Sequence, residues 1–407
     1  MTPKRRARES QIRGAVRATG RPVVAVTGAA GPAGRAVLRL LLSRMGDPEA
    51  GLRPKQVIAI DAAPEPAETG SRAKAARPAP EPEPDGTEGA LWLAADISSP
   101  EVVEVLAGVD VVIHLATADD LGAVLGEPAQ ARRVRAVRAA QAVTTAAAAV
   151  GARRLIAVTS AMVFGARPDN PVPLPDDAPR GAEPDDGLIG DLLEVERVLE
   201  RSPRVHPGLA LTVIRPAALV GPGVDSAVTR HFEAPRLLVL RGTGTRWQFL
   251  HVSDLAEAVW TALAGEVDGW LTAGSEGSLS EDDVERLSGM RRLEVPAGLA
   301  FSTAERLHRV GVLPTPASEL AYVVHPWVVG SSTLRAAGWQ PEQDNESCLR
   351  ELMDEVGGRR TVVGRRVDRR DAAMGAAGAA VALVGTAAIL RQARSRQKGR
   401  RRPTLDP

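Results

Sequence analysis

Pro22-Val-Val-Ala-Val-Thr27-Gly-Ala-Ala-Gly-Pro-Ala-Gly34 begins as a short β-branched run, passes through a glycine-rich turn and continues into Arg35–Arg44, whose apolar residues recur at helical spacing. A strand, a glycine turn and a helix in that order form the context in which a dinucleotide is held. Gly28 permits the tight turn, Gly31 lets backbone amides approach a pyrophosphate, and Gly34 lets helix and sheet pack closely. Pro32 falls in the first helical turn, where its missing donor costs little, with Ala33 between it and Gly34. The helix N-terminus then faces phosphate charge with the positive end of its dipole.

Outward from this turn, further short apolar runs alternate with helical segments. They are Gln56-Val-Ile-Ala-Ile-Asp61, Leu91-Trp-Leu-Ala-Ala-Asp96, Val109-Asp-Val-Val-Ile-His114 and Arg154-Leu-Ile-Ala-Val-Thr159, with the Ala-rich helix Ala131–Val150 before the last. Short buried strands alternating with helices predict an α/β fold, a Rossmann-like doubly wound parallel sheet. Asp61, at the end of the second strand, is placed to accept hydrogen bonds from the adenosine ribose and to repel a 2′-phosphate, which favours NAD over NADP. Asp96 and Ile97 end the third strand and border the adenine position. Leu115 and Ala116 follow the fourth, beside the pyrophosphate, and His114 reads as a hydrogen-bonded strand-end residue.

Two segments interrupt the rhythm: residues 62–90 form a Pro/Ala/Glu-rich insertion and residues 168–187 a Pro- and Asp-rich loop. After Arg215 the signals become irregular, so a smaller mixed substrate lobe is expected, mainly from 168–187 and 216–355.

Composition excludes several chemistries. The chain has 407 residues and a formal net charge of +1, with Cys348 its one cysteine, so disulfide frameworks and thiolate metal sites are ruled out and no metal is expected. Charge is segregated. Residues 1–21, a basic arm expected to be disordered, carry seven basic side chains and one acidic. The tail, 356–407, carries thirteen basic side chains and three acidic beyond position 357, which leaves residues 22–357 near −15. Nucleic acid is the less favoured partner of these arms, which lack aromatic residues for base stacking. An anionic membrane surface fits better, because Ala372–Leu390 is an uncharged stretch of roughly 28 Å as a helix, though rich in Ala and Gly. The absence of an apolar run after the charged start reads as a cytoplasmic protein, membrane-associated through residues 372–402.

The motifs TGAAGPAG, VIAID, AADIS, VDVVIHLAT, RLIAVTSAMVFG, LTVIRPAALVGPG and WQFLHVSDLAEAV together resemble the extended short-chain dehydrogenase/reductase family, the NAD-dependent epimerase/dehydratases that act mostly on nucleotide sugars. The likeness covers roughly residues 22–355. It implies a dinucleotide domain with a C-terminal substrate lobe, a nucleotide-sugar ligand and a homodimer. Ser160 matches the family's catalytic Ser/Thr, and Arg215 and His251 match positions around the substrate cleft, as do Pro216 and Asp254.

The family's chemistry needs a YxxxK pair on the helix after Ser160, the Tyr as general acid/base and the Lys lowering its pKa while holding the nicotinamide ribose. Alignment puts Leu188 in the Tyr position and Leu192 in the Lys position, and Ala136 where the family has Asn. No Lys lies between Lys74 and Lys398, and Tyr322 is followed four residues later by Pro326. The expected function is therefore an NAD-binding protein of epimerase/dehydratase ancestry with lost or altered catalysis, a sensor or scaffold. The alternative is an active nucleotide-sugar oxidoreductase or epimerase with relocated acid–base groups, drawn from Asp185, Asp186, Asp191 and Glu194.

Overall fold

Runs of Val, Ile, Leu and Ala become parallel strands in the computed structural model, which describes residues 21–62, 86–116, 121, 127–310 and 316–363. In chain order the first half comprises β1 (Val23–Thr27), α1 (Pro32–Gly46), β2 (Gln56–Asp61), β3 (Leu91–Ala94), α2 (Val102–Val105), β4 (Val111–Leu115), α3 (Ala129–Ala149), β5 (Arg154–Val158), α4 (Leu188–Val205) and β6 (Ala210–Pro216). The second half comprises β7 (Ala218–Val220), α5 (Ala227–Phe232), β8 (Leu237–Leu240), β9 (Arg246–Trp247), β10 (Phe249–His251), α6 (Val252–Ala264), β11 (Gly269–Ala273), β12 (Leu279–Ser280), α7 (Glu281–Ser288), β13 (Arg292–Val295), α8 (Ala297–Arg309), α9 (Ser332–Ala336) and α10 (Asn345–Val363).

Among the described residues the central sheet has seven strands in the order β3-β2-β1-β4-β5-β6-β11, every pair parallel. Strands β4 and β5 are buried along their whole length, as a sheet covered by helices on both faces requires. The winding direction reverses between β1 and β4, whose register pairs Val24 with Val111 and Thr27 with His114. Such a reversal opens a crevice beyond the carboxyl ends of the two strands, where open α/β sheets take their ligands.

Helix α1 starts at Pro32 and buries Ala33, Ala36, Val37, Leu38 and Leu41 on one face. It packs against α6, with Arg44 3.0 Å from Glu257 and lying over the Trp260 ring. Strand β11 and helix α6 come from the stretch expected to build the lobe; the chain instead returns to the sheet through residues 252–273. The signal was weak because Gly269-Trp-Leu-Thr-Ala273 buries only its last three residues.

The lobe proper consists of two-stranded pieces, β7 with β10, β9 with β12 and β8 with β13, together with α5, α8 and the 3-10 turn Ala317–Val323. No helix among the described residues is long and apolar enough to cross a membrane. The basic arm up to residue 20, most of the 62–90 insertion (63–85) and the segment 372–390 lie outside the described residues.

Candidate functional site

The glycine turn after β1 is built around two close approaches. Gly28 has φ +74°, and a Cβ there would stand 2.9 Å from the Leu115 carbonyl oxygen at the end of β4. A Cβ on Gly34 would lie 2.3 Å from the Gly28 carbonyl oxygen. Only glycines let α1 sit down on the turn, and the turn on β4. Gly31 is the extended N-cap of α1; no side chain caps the helix and no acidic residue occupies its first turn. The positive end of the helix dipole therefore points at the crevice. This backbone fits a pyrophosphate, which would lie against Gly28, Gly31, Pro32, Ala33 and Gly34.

Asp61 ends β2 beside that turn. Its Oδ2 accepts the Ala30 amide at 2.7 Å and its Oδ1 the Ala62 amide at 2.8 Å, so the carboxylate braces the turn from the side on which a ribose would lie. Asp96 faces its own chain: both the amide and the hydroxyl of Ser98 donate to it, which holds its carboxyl below the usual range. Ile97, Leu115 and Ala116 instead line a cavity of about 150 Å³ with His114, Arg132, Ala136, Leu188 and Leu192. His114 hydrogen-bonds to Thr27 Oγ1 through Nδ1 at 2.8 Å, and burial pulls its pKa down to about 4, so the ring is neutral near pH 7.

Ser160 follows β5 and caps the 3-10 turn Ala161–Phe164, its hydroxyl accepting the Met162 amide at 3.2 Å. It lines an apolar cavity of about 70 Å³ at the carboxyl ends of β5 and β6, together with Pro216, Ala217, Leu219 and Val228. Leu188 and Leu192, one turn apart on α4, form another wall. Both side chains present hydrocarbon to the cavity. The lobe closes the cavity with Tyr322 and Trp327. Tyr322 donates its hydroxyl to the Met162 carbonyl at 2.8 Å, and burial drives its pKa upward.

Neither Arg215 nor His251, both expected at the cleft, lines this cavity. Arg215 is buried, donating to Glu196 from Nε at 3.0 Å and Nη2 at 2.7 Å, with its guanidinium between the rings of Phe164 and Trp270. Glu196, fully buried, also accepts the Thr159 hydroxyl at 2.8 Å. His251 caps α6 and meets Ser253 Oγ at 2.6 Å and Glu351 at 3.3 Å. Asp254 accepts the amides of Glu342 and Gln343, a structural brace in which burial raises its carboxyl above the usual range.

The carboxylates considered as relocated bases do not line the Ser160 cavity either, though Asp191 lines the 150 Å³ cavity on the other side of Leu188 and Leu192. Asp191 is clamped by Arg132 Nε at 2.6 Å and Arg133 Nε at 2.8 Å. Asp185 accepts the Ser318 hydroxyl and the Gly187 amide, and Glu194 pairs with Arg197 on the surface. The carboxyl that does line the cavity is Glu319, 7 % exposed, from the 3-10 turn of the lobe. It accepts the Leu188 amide at 2.9 Å, and burial raises its pKa to about 7. No motif marks Ala317-Ser-Glu-Leu-Ala-Tyr-Val323, so nothing in the local sequence distinguishes this glutamate from a surface one. Among the described residues no cluster of three or more His, Cys, Asp or Glu is placed to hold a metal.

Comparison with known proteins supplies the relatives of this arrangement. The family model described as "NAD dependent epimerase/dehydratase family" matches residues 24–270. An uncharacterized protein of Mycobacterium tuberculosis is 26% identical over 257 residues, 62% of this chain and 68% of its own length, and one of Mycobacterium bovis matches to the same extent. Among solved structures, dTDP-glucose 4,6-dehydratase from Streptomyces venezuelae, with NAD bound, is similar at a TM-score of 0.59 and 16% identity over 84% of this chain and 98% of its own. UDP-glucose 4-epimerase from Thermotoga maritima, with UDP-glucose, is similar at a TM-score of 0.57 and 16% identity over 84% and 99%.

Proposed function

The chain belongs to the NAD dependent epimerase/dehydratase family, and from that premise we propose that it binds NAD at the glycine turn as a sensor or scaffold, without turning over a nucleotide sugar by the Tyr and Lys route. The observation that carries this reading is the pair Leu188 and Leu192 walling the cavity at Ser160. When bound, NAD supplies hydride transfer; the protein must move the proton. A leucine can neither take a proton from a sugar hydroxyl nor tune a group that does. The Asp61 carboxylate beside the ribose position favours NAD over NADP, since a 2′-phosphate would meet like charge.

Calorimetry with NAD and NADP, followed by incubation of the NAD complex with a panel of nucleotide sugars, tests the reading. We expect NAD to bind more tightly than NADP, with no NADH formation, epimerisation or dehydration. Turnover that disappears in Ser160→Ala would defeat it, and so would failure to bind either dinucleotide. The competing reading, an active epimerase or dehydratase with relocated acid–base groups, is favoured by one feature, the Glu319 carboxyl in the cavity; turnover abolished by Glu319→Gln would establish it.

In the same proposal the protein is a cytoplasmic homodimer whose basic tail docks on anionic membrane. Sedimentation with phosphatidylserine liposomes should weaken with salt and vanish on truncation at Gly358; recovery wholly in the supernatant refutes the docking.

A further inference from the structure

Leu188 and Leu192 line the cavity at Ser160 and also the cavity of about 150 Å³, which adjoins the glycine turn directly. Leu115, in the lining of the larger one, is the residue against which Gly28 packs: its carbonyl oxygen lies 2.9 Å from where a Cβ on Gly28 would stand. His114, also in the lining, hydrogen-bonds to Thr27 at the end of β1 at 2.8 Å. Strand order puts β2, with Asp61, on one side of β1 and β4 on the other. A dinucleotide with its pyrophosphate on the turn and its adenosine at Asp61 therefore carries its second half toward β4 and this cavity.

The walls are largely apolar, and two guanidiniums, Arg132 and Arg135, enter them from α3. Arg135 is committed elsewhere: its Nε and Nη2 donate to Glu127 at 3.0 and 2.7 Å, and its side chain is 56% exposed. Arg132 is 5% exposed. Its Nε donates to Asp191 Oδ2 at 2.6 Å and its Nη2 to the Asp186 carbonyl at 2.7 Å, while its Nη1 donates to none of the described residues. Burial among hydrocarbon removes the water that would otherwise take up the remaining N–H groups of the fork.

The anions nearby are already engaged. Asp191 Oδ1 accepts from Arg133 Nε at 2.8 Å, and Asp96 accepts the amide and hydroxyl of Ser98. Asp185 accepts the Gly187 amide and the Ser318 hydroxyl, and Glu319, beyond Leu188, accepts that residue's amide. Arg132 is thus a cation held rigidly by α4 at the edge of the dinucleotide crevice, with donor capacity left over.

Resting on the dinucleotide reading above, we propose that Arg132 is a cofactor-binding residue, its Nη1 donating to an oxygen of the half of NAD that lies beyond the pyrophosphate. A ribose hydroxyl or the carboxamide oxygen offers the acceptor. Asp191 is then a positioning residue, fixing the plane of the guanidinium through Nε, and Arg133 satisfies its other oxygen. Buried ion pairs contribute little net stability, so what the fold gains from this one is a donor set in place before the ligand arrives.

Titration calorimetry of the full chain with NAD+ and with ADP tests the proposal, since ADP carries the adenosine and both phosphates but lacks the second ribose and the nicotinamide. In Arg132→Met the NAD+ dissociation constant should rise about ten- to hundredfold, the loss of one charge-assisted hydrogen bond, while that of ADP stays within about threefold. Arg133→Met removes the other cation of Asp191, which does not line the cavity, and should leave both ligands within about threefold of wild type. Should Arg132→Met fail to fold, Arg132→Lys decides in its place: it keeps the charge but loses the planar fork, and NAD+ alone should weaken by about three- to tenfold. Unchanged NAD+ affinity, equal weakening of NAD+ and ADP, or an equal loss in Arg133→Met overturns the proposal and leaves dinucleotide binding standing. Failure of the wild type to bind NAD+ overturns the dinucleotide reading, and this proposal with it.

Discussion

Glu319 accepts the backbone N–H of Leu188 at 2.9 Å across a separation of 131 residues, so the lobe supplies the acceptor that the N-terminus of α4 lacks in its own sequence. Gly187 offers no capping side chain. The arrangement has a signed consequence for stability. Burial moves the carboxyl from an ordinary 4.5 to about 7, so the folded state prefers the protonated form. The associated stability is complete below the ordinary glutamate range and is lost as pH rises through about 7, a difference of up to about 3 kcal/mol. Glu319→Gln should therefore melt higher than wild type at about pH 8, with the gap closing near pH 5. Superimposable pH–melting curves would show that the carboxyl is not held in this way.

Gly34→Ala should loosen α1 from the turn. The added methyl would lie 2.3 Å from a backbone oxygen, which cannot rotate aside. We expect a loss of about 1–3 kcal/mol in urea unfolding, accompanied by weaker NAD binding. A variant as stable as wild type would mean that the turn has more room than the structure gives it.

Arg215→Ala leaves Glu196 buried without its bidentate partner, which should cost about 3–5 kcal/mol. The paired replacement Arg215→Met with Glu196→Leu should recover most of that loss, because neither charge then remains to be desolvated. Equal loss in the single and double variants, measured by denaturant unfolding, would assign the cost to packing against Phe164 and Trp270 instead.

Ser160→Ala removes the hydroxyl that caps a short 3-10 turn, a cost of about 0.5–1 kcal/mol. In a protein that binds NAD without turnover, its NAD affinity should stay within about threefold of wild type. A drop of a hundredfold would give Ser160 a direct role at the nicotinamide.

Leu192→Lys places an ammonium in the apolar wall of the cavity. Arg132 and Arg133 already occupy Asp191 next to it, and the carboxyl that lines the cavity, Glu319, is committed to the Leu188 amide. Unfolding experiments should show a loss of about 2–4 kcal/mol at neutral pH. Wild-type stability in this variant would show that the wall is more polar than its lining indicates.

Much of the fold could be read along the chain because its decisive features are local. Strands buried on both faces must be continuous apolar runs, and a turn that lets a helix rest on a strand must place glycines at Gly28 and Gly34. Strand β11 escaped the reading because only its last three residues are buried, and a half-apolar pentapeptide carries no period.

The candidate site divides along the same line. That positions 188 and 192 bear no proton-handling group is a property of the residue types, and no folding of the chain alters it. Whether a given carboxyl is solvated, clamped or enclosed depends on what distant segments bring to it. Asp191 reads as a free base until Arg132 and Arg133 reach it, and Arg215 reads as a substrate ligand until Glu196 and the two rings enclose it. Glu319 reads as a surface residue until the lobe closes over α4 and removes its water. The sequence by itself determined a glycine turn at the head of a parallel sheet and leucines at positions 188 and 192, because backbone sterics and side-chain chemistry are written residue by residue. Only the tertiary structure decided which charge faces the cavity, because desolvation and pairing are properties of the neighbours that packing assembles.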